Sequence, residues 1–126
     1  MDLAKKSVLI IEDDQMILEM YKDKLKSVGF RVFTVSDGKK AIQRIAQGTD
    51  LILLDILMPN LNGFEILKKI KSNPKTKKIP VIVLTNIGSE SADNDKSLAM
   101  SLGASDYMVK ALNTPDDVVN RINQII

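Results

Sequence analysis

The sequence predicts one α/β domain over residues 1–126, a three-layer α/β/α sandwich around a five-stranded parallel sheet of strand order 2-1-3-4-5, a (βα)5 arrangement. Three observations lead there. Short apolar runs alternate along the whole chain with segments whose apolar residues recur at helical spacing. Most of the apolar runs are continuous rather than alternating, as in strands covered on both faces. No linker, repeat or low-complexity stretch interrupts the alternation.

The first strand is Val8-Leu9-Ile10-Ile11, rich in β-branched residues. A helix follows with Ile17, Tyr21, Leu25 and Val28 on one face, and Gly29 stops it. Arg31 to Val35 is more polar, as an edge strand is. Ser36-Asp37-Gly38 opens a predicted second helix with Ala41, Ile42, Ile45 and Ala46 as its apolar stripe, ended by Gly48. Leu51 to Leu54 is the third strand. After Met58-Pro59-Asn60 a third helix carries Phe64, Leu67 and Ile70 inward, with Pro74 past its end. Val81 to Leu84 is the fourth strand. A Gly-, Ser-, Asn- and Asp-rich loop runs from Asn86 to about Asn94. A fourth helix carries Leu98, Ala99 and Leu102, and Gly103 ends it. Tyr107-Met108-Val109 is the fifth strand. Pro115 suits the first turn of a fifth helix, with Val118, Val119, Ile122 and Ile125 inward.

Composition removes several classes of function. The chain has 44% hydrophobic and 27% charged residues, in the globular range. It has no cysteine and no histidine, which excludes disulfides, zinc hydrolases, Ser-His-Asp enzymes and phosphohistidine chemistry within the chain. A net charge of +2 makes no case for nucleic acid. Lys68, Lys69, Lys71, Lys75, Lys77 and Lys78 cluster without an interleaved aromatic residue, and a solvated helix C-terminus explains them better than a nucleic-acid patch. No run approaches the ~20 apolar residues of a membrane span, and no secretory signal is visible, so a cytoplasmic location is the default expectation.

In open parallel sheets the ligand site lies beyond the carboxyl ends of the strands. Here those ends carry Glu12-Asp13-Asp14, Asp55, Thr85 and Lys110, with only Ser36 and Asp37 from the second strand. Taken singly, each has an ordinary explanation: Asp13 or Asp14 as a helix N-cap, Asp55 in a turn, Thr85 as a strand residue, Lys110 solvated. Together they are complementary. Converging carboxylates repel one another, and a hard divalent cation relieves the repulsion. Lys110 and the Thr85 hydroxyl can meet phosphoryl oxygens. A carboxylate nucleophile, a metal, a lysine and a hydroxyl make a phosphoryl-accepting site.

At these residues the chain resembles a response regulator receiver domain, the phosphoacceptor half of two-component signalling. Asp55-Ile56-Leu57-Met58-Pro59 followed by Gly63 matches the family's Asp-x-x-Met-Pro-x-x-x-Gly. Ile11-Glu12-Asp13-Asp14, Leu84-Thr85 and Gly103-Ala104-Ser105-Asp106-Tyr107-Met108-Val109-Lys110 match in order and spacing. The resemblance implies a flavodoxin-like fold and a signalling domain rather than an enzyme, its only chemistry being its own phosphoryl transfer and dephosphorylation. It implies that Asp55 takes a phosphoryl group from a sensor histidine kinase, a phosphotransfer protein or a small phosphodonor. It further implies Mg2+ (or Mn2+) held by Asp13, Asp55, the backbone carbonyl of Leu57, and Glu12 through water. Lys110 would pair with Asp55 and then with the phosphoryl group, and Thr85 would couple that group to the position of Tyr107. Output would run through the face of the fourth helix, fifth strand and fifth helix, to a partner, an output domain or a second copy of the chain. Nucleic acid would be reached only through an output domain. The chain ends just after the fifth helix, and reads as a stand-alone receiver or as part of a longer regulator.

Three positions depart from the family pattern. Ala111 stands where proline usually follows the lysine; a cis bond before a non-proline residue costs about 3 kcal/mol, so this bond is expected to be trans or the loop strained. Asn86 stands where the family mostly has a smaller residue and is expected to narrow access to the phosphoryl group. Asp14 is an added acid, expected to cap the first helix. Alternatives fit less well. A pseudo-receiver would not need Asp55, Asp13, Thr85 and Lys110 together. A flavodoxin-like nucleotide binder would want a phosphate loop where Glu12-Asp13-Asp14 stands. A haloacid-dehalogenase-like phosphatase would want a second aspartate where Leu57 stands.

Overall fold

The computed structural model describes residues 5–45, 48–58, 61–86 and 92–126. Five strands, β1 (Ser7–Ile11), β2 (Arg31–Val35), β3 (Leu51–Leu54), β4 (Val81–Thr85) and β5 (Asp106–Val109), form one sheet in the order β2-β1-β3-β4-β5. Every neighbouring pair is parallel, with Ile11 opposite both Val35 and Leu54, and Thr85 opposite Val109. The expected architecture and strand order are those observed.

Four α-helices cover the sheet: α1 (Gln15–Ser27), α2 (Gly63–Ser72), α3 (Ala92–Ser101) and α4 (Pro115–Ile125). Alternate residues of each strand feed opposite faces. Val8, Ile10, Leu51, Leu53, Ile82, Leu84 and Met108 pack against Leu18, Tyr21 and Leu25 of α1 and Val118, Val119 and Ile122 of α4. Leu9, Ile11, Ile52, Leu54, Val81, Val83 and Tyr107 pack on the other face with Ile66, Leu67 and Ile70 of α2 and Ala99 of α3. This two-sided burial explains why β1, β3 and β4 contain no outward polar position: each buried aliphatic side chain contributes roughly 1.5–3 kcal/mol. β2 lies at the edge and alternates in exposure, as its composition required.

Local signals account for the helix ends. Asp14 caps α1, its Oδ1 accepting from Met16 N at 3.0 Å and Ile17 N at 3.2 Å. This is the role expected for the added acid. Gly29 follows α1 at φ +105°, a conformation that glycine adopts freely. Thr114 and Asp117 form a reciprocal capping box around Pro115 at the start of α4.

The predicted second helix is the main correction. Its described part forms two 3₁₀ turns, Gly38–Lys40 and Ile42–Arg44, closed by Lys40 N to Asp37 O at 3.0 Å and Arg44 N to Ala41 O at 3.1 Å. The segment opens on glycine and is too short for the good helix formers in it, Ala41, Gln43 and Arg44 among them, to fix its shape, so packing decides it. Ala41 is still fully buried, with Ile42 and Ile45 packed against the core; Ala46 lies outside the described residues. Val28 and Leu98, expected inward, are exposed. Val28 sits past the last turn of α1. Ala99 of α3 and Leu102 just past its end face inward, which places Leu98 on the flank. A short antiparallel ribbon, Leu57–Met58 with Leu61–Asn62, was not anticipated. Part of the loop expected over Asn86–Asn94 lies outside the described residues, and α3 begins at Ala92 within it.

One lysine of the basic cluster is structural. Lys71 Nζ donates to Ile79 O at 2.7 Å and Lys77 O at 3.1 Å, tying the loop after α2 to its helix. Burial lowers its pKa from the usual lysine value. Among the described residues no helix is long and apolar enough to cross a membrane.

Candidate functional site

The register brings the strand ends together. Ile11 and Leu54 are partners, so the next residues, Glu12 and Asp55, emerge side by side. Asp55 N donates to Ile11 O at 3.0 Å and Glu12 N to Val35 O at 3.1 Å, which fixes both backbones. Carboxylate oxygens of Glu12, Asp13 and Asp55 lie within 4.8 Å of one another. Asp55 is 6% exposed and Glu12 4%, whereas Asp13 is partly open to solvent. Three hard oxygen donors at this spacing, one of them solvated, suit a magnesium-type cation that keeps several waters. The residues present therefore fit the metal that the sequence implied. Leu57, whose backbone carbonyl the resemblance assigns to that metal, lies in the short ribbon two residues after Asp55.

Lys110 reaches the cluster from the end of β5. Its Nζ lies 2.5 Å from Glu12 Oε1, and both side chains are almost fully buried. Glu12 Oε2 also accepts from Asp14 N at 3.2 Å. Glu12 is thus a partner of Lys110, a pairing that sequence reading did not name. The peptide bond between Lys110 and Ala111 is trans, as expected, and Lys110–Leu112 forms a 3₁₀ turn. Thr85 is fully buried at the end of β4, and Asn86 beside it is exposed.

Tyr21 was read as a core residue, and its surroundings say more. A small cavity of about 10 Å³ is lined by Tyr21, Glu12 and Asp55 together with Ile10, Ile11, Ile17, Leu53 and Leu84. Burial raises the Tyr21 pKa, and the Glu12 carboxylate raises it further. The only sequence signal was a hydroxyl-bearing side chain on the inward face of α1.

Tyr107 lies on the same sheet face as Thr85, since Val83 is its register partner. Its ring is 7% exposed, and its hydroxyl is buried without a hydrogen-bond partner among the described residues. Burial raises its pKa, and the negative charge of Asp95 on α3 adds to the effect. An unpartnered buried hydroxyl costs roughly 1–3 kcal/mol. Tyr107→Phe is therefore expected to stabilise the fold by about 1 kcal/mol, read as a higher urea midpoint with an unchanged slope. A fall in the midpoint would mean that the hydroxyl has a partner.

The two tyrosines also set an alkaline limit. Both folded pKa values lie above the ordinary 10.0, so the folded state holds these protons more tightly than the unfolded state. Their contribution is fully present below pH 10 and is lost as pH rises through the folded values. Urea midpoints measured from pH 9 to 11 are expected to fall, and the fall should be shallower in Tyr21→Phe.

The fold and the site together define a receiver: a parallel α/β sandwich with an acid cluster, a threonine and a lysine at its strand ends. A model of the response regulator receiver domain matches residues 8–123, and the chain belongs to that family. It is 37% identical over 119 residues to the transcriptional regulatory protein CpxR of Escherichia coli, covering 94% of this chain and 48% of CpxR. It is 34% identical to the response regulator SaeR of Staphylococcus aureus, covering 94% of this chain and 50% of SaeR. The chain thus spans about half the length of these curated relatives. Among solved structures it is similar to a putative response regulator from Chloroflexus aurantiacus (TM-score 0.85, 30% identity, 97% of this chain and 98% of that one). It is also similar to chemotaxis protein CheY4 of Vibrio cholerae (TM-score 0.84, 27% identity, 98% and 100%). The chain is a receiver domain of the two-component response regulators, a signalling domain.

Proposed function

We propose that residues 1–126 act as one receiver unit that accepts a phosphoryl group on Asp55 and passes the change to a partner surface. The observation that carries this reading is the convergence of Glu12, Asp13 and Asp55 within 4.8 Å, with Lys110 beside them. An Asp55 oxygen attacks the phosphorus of a phosphohistidine. The new P–O bond forms as the P–N bond breaks, and the imidazole nitrogen keeps the electron pair and takes up a proton. Lys110 and the Thr85 hydroxyl meet the phosphoryl oxygens and offset their charge. Asp13, Asp55, the Leu57 carbonyl and Glu12 through water would hold Mg2+ or Mn2+, which when bound supplies the remaining charge neutralisation.

The donor on this reading is a sensor histidine kinase or a phosphotransfer protein. Output runs through α3, β5 and α4, toward a partner, an output domain of a longer protein or a second copy. Tyr107 is the element whose balance can shift. Burying its ring gains roughly 1.5–3 kcal/mol, and its orphan hydroxyl gives back roughly 1–3 kcal/mol of that. Inward and outward positions are then close in energy, as a switch requires.

Incubation with acetyl phosphate and Mg2+ is expected to add one phosphoryl group, seen as a mass shift of the intact chain. The shift should vanish in Asp55→Asn and in excess chelator. An unchanged shift in Asp55→Asn would place the acceptor elsewhere.

A further inference from the structure

We propose that Tyr21 sets the lifetime of the phosphoryl group on Asp55: through one water seated in the cavity between them, its hydroxyl supports the carboxylate that leaves when that group is hydrolysed. The proposal rests on the reading of Asp55 as phosphoacceptor. Tyr21 belongs to the apolar face of α1, where it packs with Leu18 and Leu25 against Ile10, Leu53 and Leu84. A phenylalanine would fill that place as well. The hydroxyl has surroundings of its own. The cavity of about 10 Å³ is room for one water, and Tyr21, Glu12 and Asp55 all line it. Asp55 N donates to Ile11 O at 3.0 Å, which continues the sheet by one residue, so Asp55 follows Leu53 toward the α1 face. Burial and the Glu12 charge both keep the proton on Tyr21. A water there can accept from the phenol and donate to the two carboxylates, which only accept.

The chemistry gives this bridge a direction. In hydrolysis a solvent water attacks the phosphorus. A new P–O bond forms as the bond from phosphorus to Asp55 breaks, and the electron pair returns to Asp55 as a carboxylate. One proton of the attacking water stays on its oxygen and the other passes to a phosphate oxygen, giving dihydrogen phosphate. In a loose transition state the bond to Asp55 is mostly broken, so its carboxylate charge has largely returned. A donor aimed at that charge acts on the transition state more than on the acyl phosphate before it. Phosphorylation differs. There Asp55 is already charged in the ground state and still mostly charged in a loose transition state. Support that is equal in both leaves the rate unchanged. Tyr21 thus speeds loss of the phosphoryl group without hindering its arrival. It acts through a water, as a positioning residue.

The test compares the full chain with its Tyr21→Phe variant, which removes the hydroxyl and keeps the ring. Each is labelled with acetyl phosphate in excess Mg2+, the donor is removed, and loss of the phosphoryl group is followed by intact mass. Tyr21→Phe is expected to lose the group about fivefold more slowly, while its rate of labelling changes by less than about twofold. Leu25→Val thins the same helix face away from the cavity, and is expected to leave the ratio of the two rates unchanged. Equal or faster loss in Tyr21→Phe overturns the proposal. So does equal slowing of both steps, or the same change of ratio in Leu25→Val, since either is what a loosened α1 would produce. Magnetisation transfer from water to the methyl groups of Leu53 and Leu84 is expected in the wild type, and a dry cavity would overturn the bridge. Labelling that persists in Asp55→Asn refutes the phosphoacceptor reading and this proposal with it. Labelling confined to Asp55, with an unchanged lifetime in Tyr21→Phe, refutes the role of Tyr21 alone.

Discussion

Gly63→Ala is expected to lower stability by about 3 kcal/mol and to impair phosphorylation of what remains folded. A Cβ on Gly63 would lie 2.5 Å from Ile56 Cα, 2.6 Å from Asp55 O and 2.9 Å from Ile56 O. All three atoms are backbone, so no side chain can swing aside. Gly63 N also donates to Ile56 O at 3.0 Å, which pins the start of α2 against the segment that follows β3. An added methyl must push that segment away, and Asp55 moves with it. Gly29→Ala is the control. Nothing lies within 4 Å of a Cβ there, and the only penalty comes from its φ of +105°. A left-handed conformation costs an ordinary residue roughly 1–2 kcal/mol, so Gly29→Ala should be milder and should leave acetyl phosphate labelling intact. Urea unfolding of both variants, with labelling measured below the transition, checks the contrast. Equal loss at the two sites would show that the close approach at Gly63 has no special weight.

Gly63 was legible in the sequence only as a letter of a motif; the reason for it is a distance. The same division runs through the molecule. Asp55, Thr85 and Lys110 stood out because each ends an apolar run, and a polar residue at that position marks the boundary of a buried strand. The sheet order follows from chain chirality and burial, which short apolar runs carry plainly. The predicted second helix failed because Ala41, Ile42 and Ile45 form an apolar stripe that a 3₁₀ turn buries as well as an α-turn does. Spacing alone cannot distinguish the two over so few residues. Leu98 was assigned inward together with Ala99 and Leu102, yet it is exposed while Ala99 is buried, because adjacent helical positions 98 and 99 point about 100° apart. The ribbon at Leu57–Met58 is too short to leave a period. The pair of Glu12 with Lys110 joins residues 98 positions apart, and nothing local in either neighbourhood announces it.

That pair leads to the second large effect. In chelator, Lys110→Met is expected to lose about 3 kcal/mol, because removing one partner of a buried ion pair leaves the other charge uncompensated. Glu12 would be left 4% exposed beside Asp13 and Asp55, three acids with no cation from Lys110 among them. Added salt should restore little, since both partners are shielded from solvent and screening acts mainly on exposed charges. Mg2+ should restore much more. A ligand at a hundred times its dissociation constant stabilises the folded state by about 2.7 kcal/mol, and removing the Lys110 charge from beside the three acids is expected to tighten cation binding and enlarge that gain. The difference in stability between variant and wild type should therefore narrow as Mg2+ rises, whereas it would stay constant if Lys110 served only as packing. Glu12→Gln/Lys110→Met should recover most of the loss in chelator, because it removes the stranded charge as well as its partner. Thermal or urea unfolding of the four proteins, with and without Mg2+, distinguishes a lysine that neutralises the acid cluster from one that merely fills space. A double variant as unstable as Lys110→Met would assign the loss to the lysine stem and not to the charge it leaves behind.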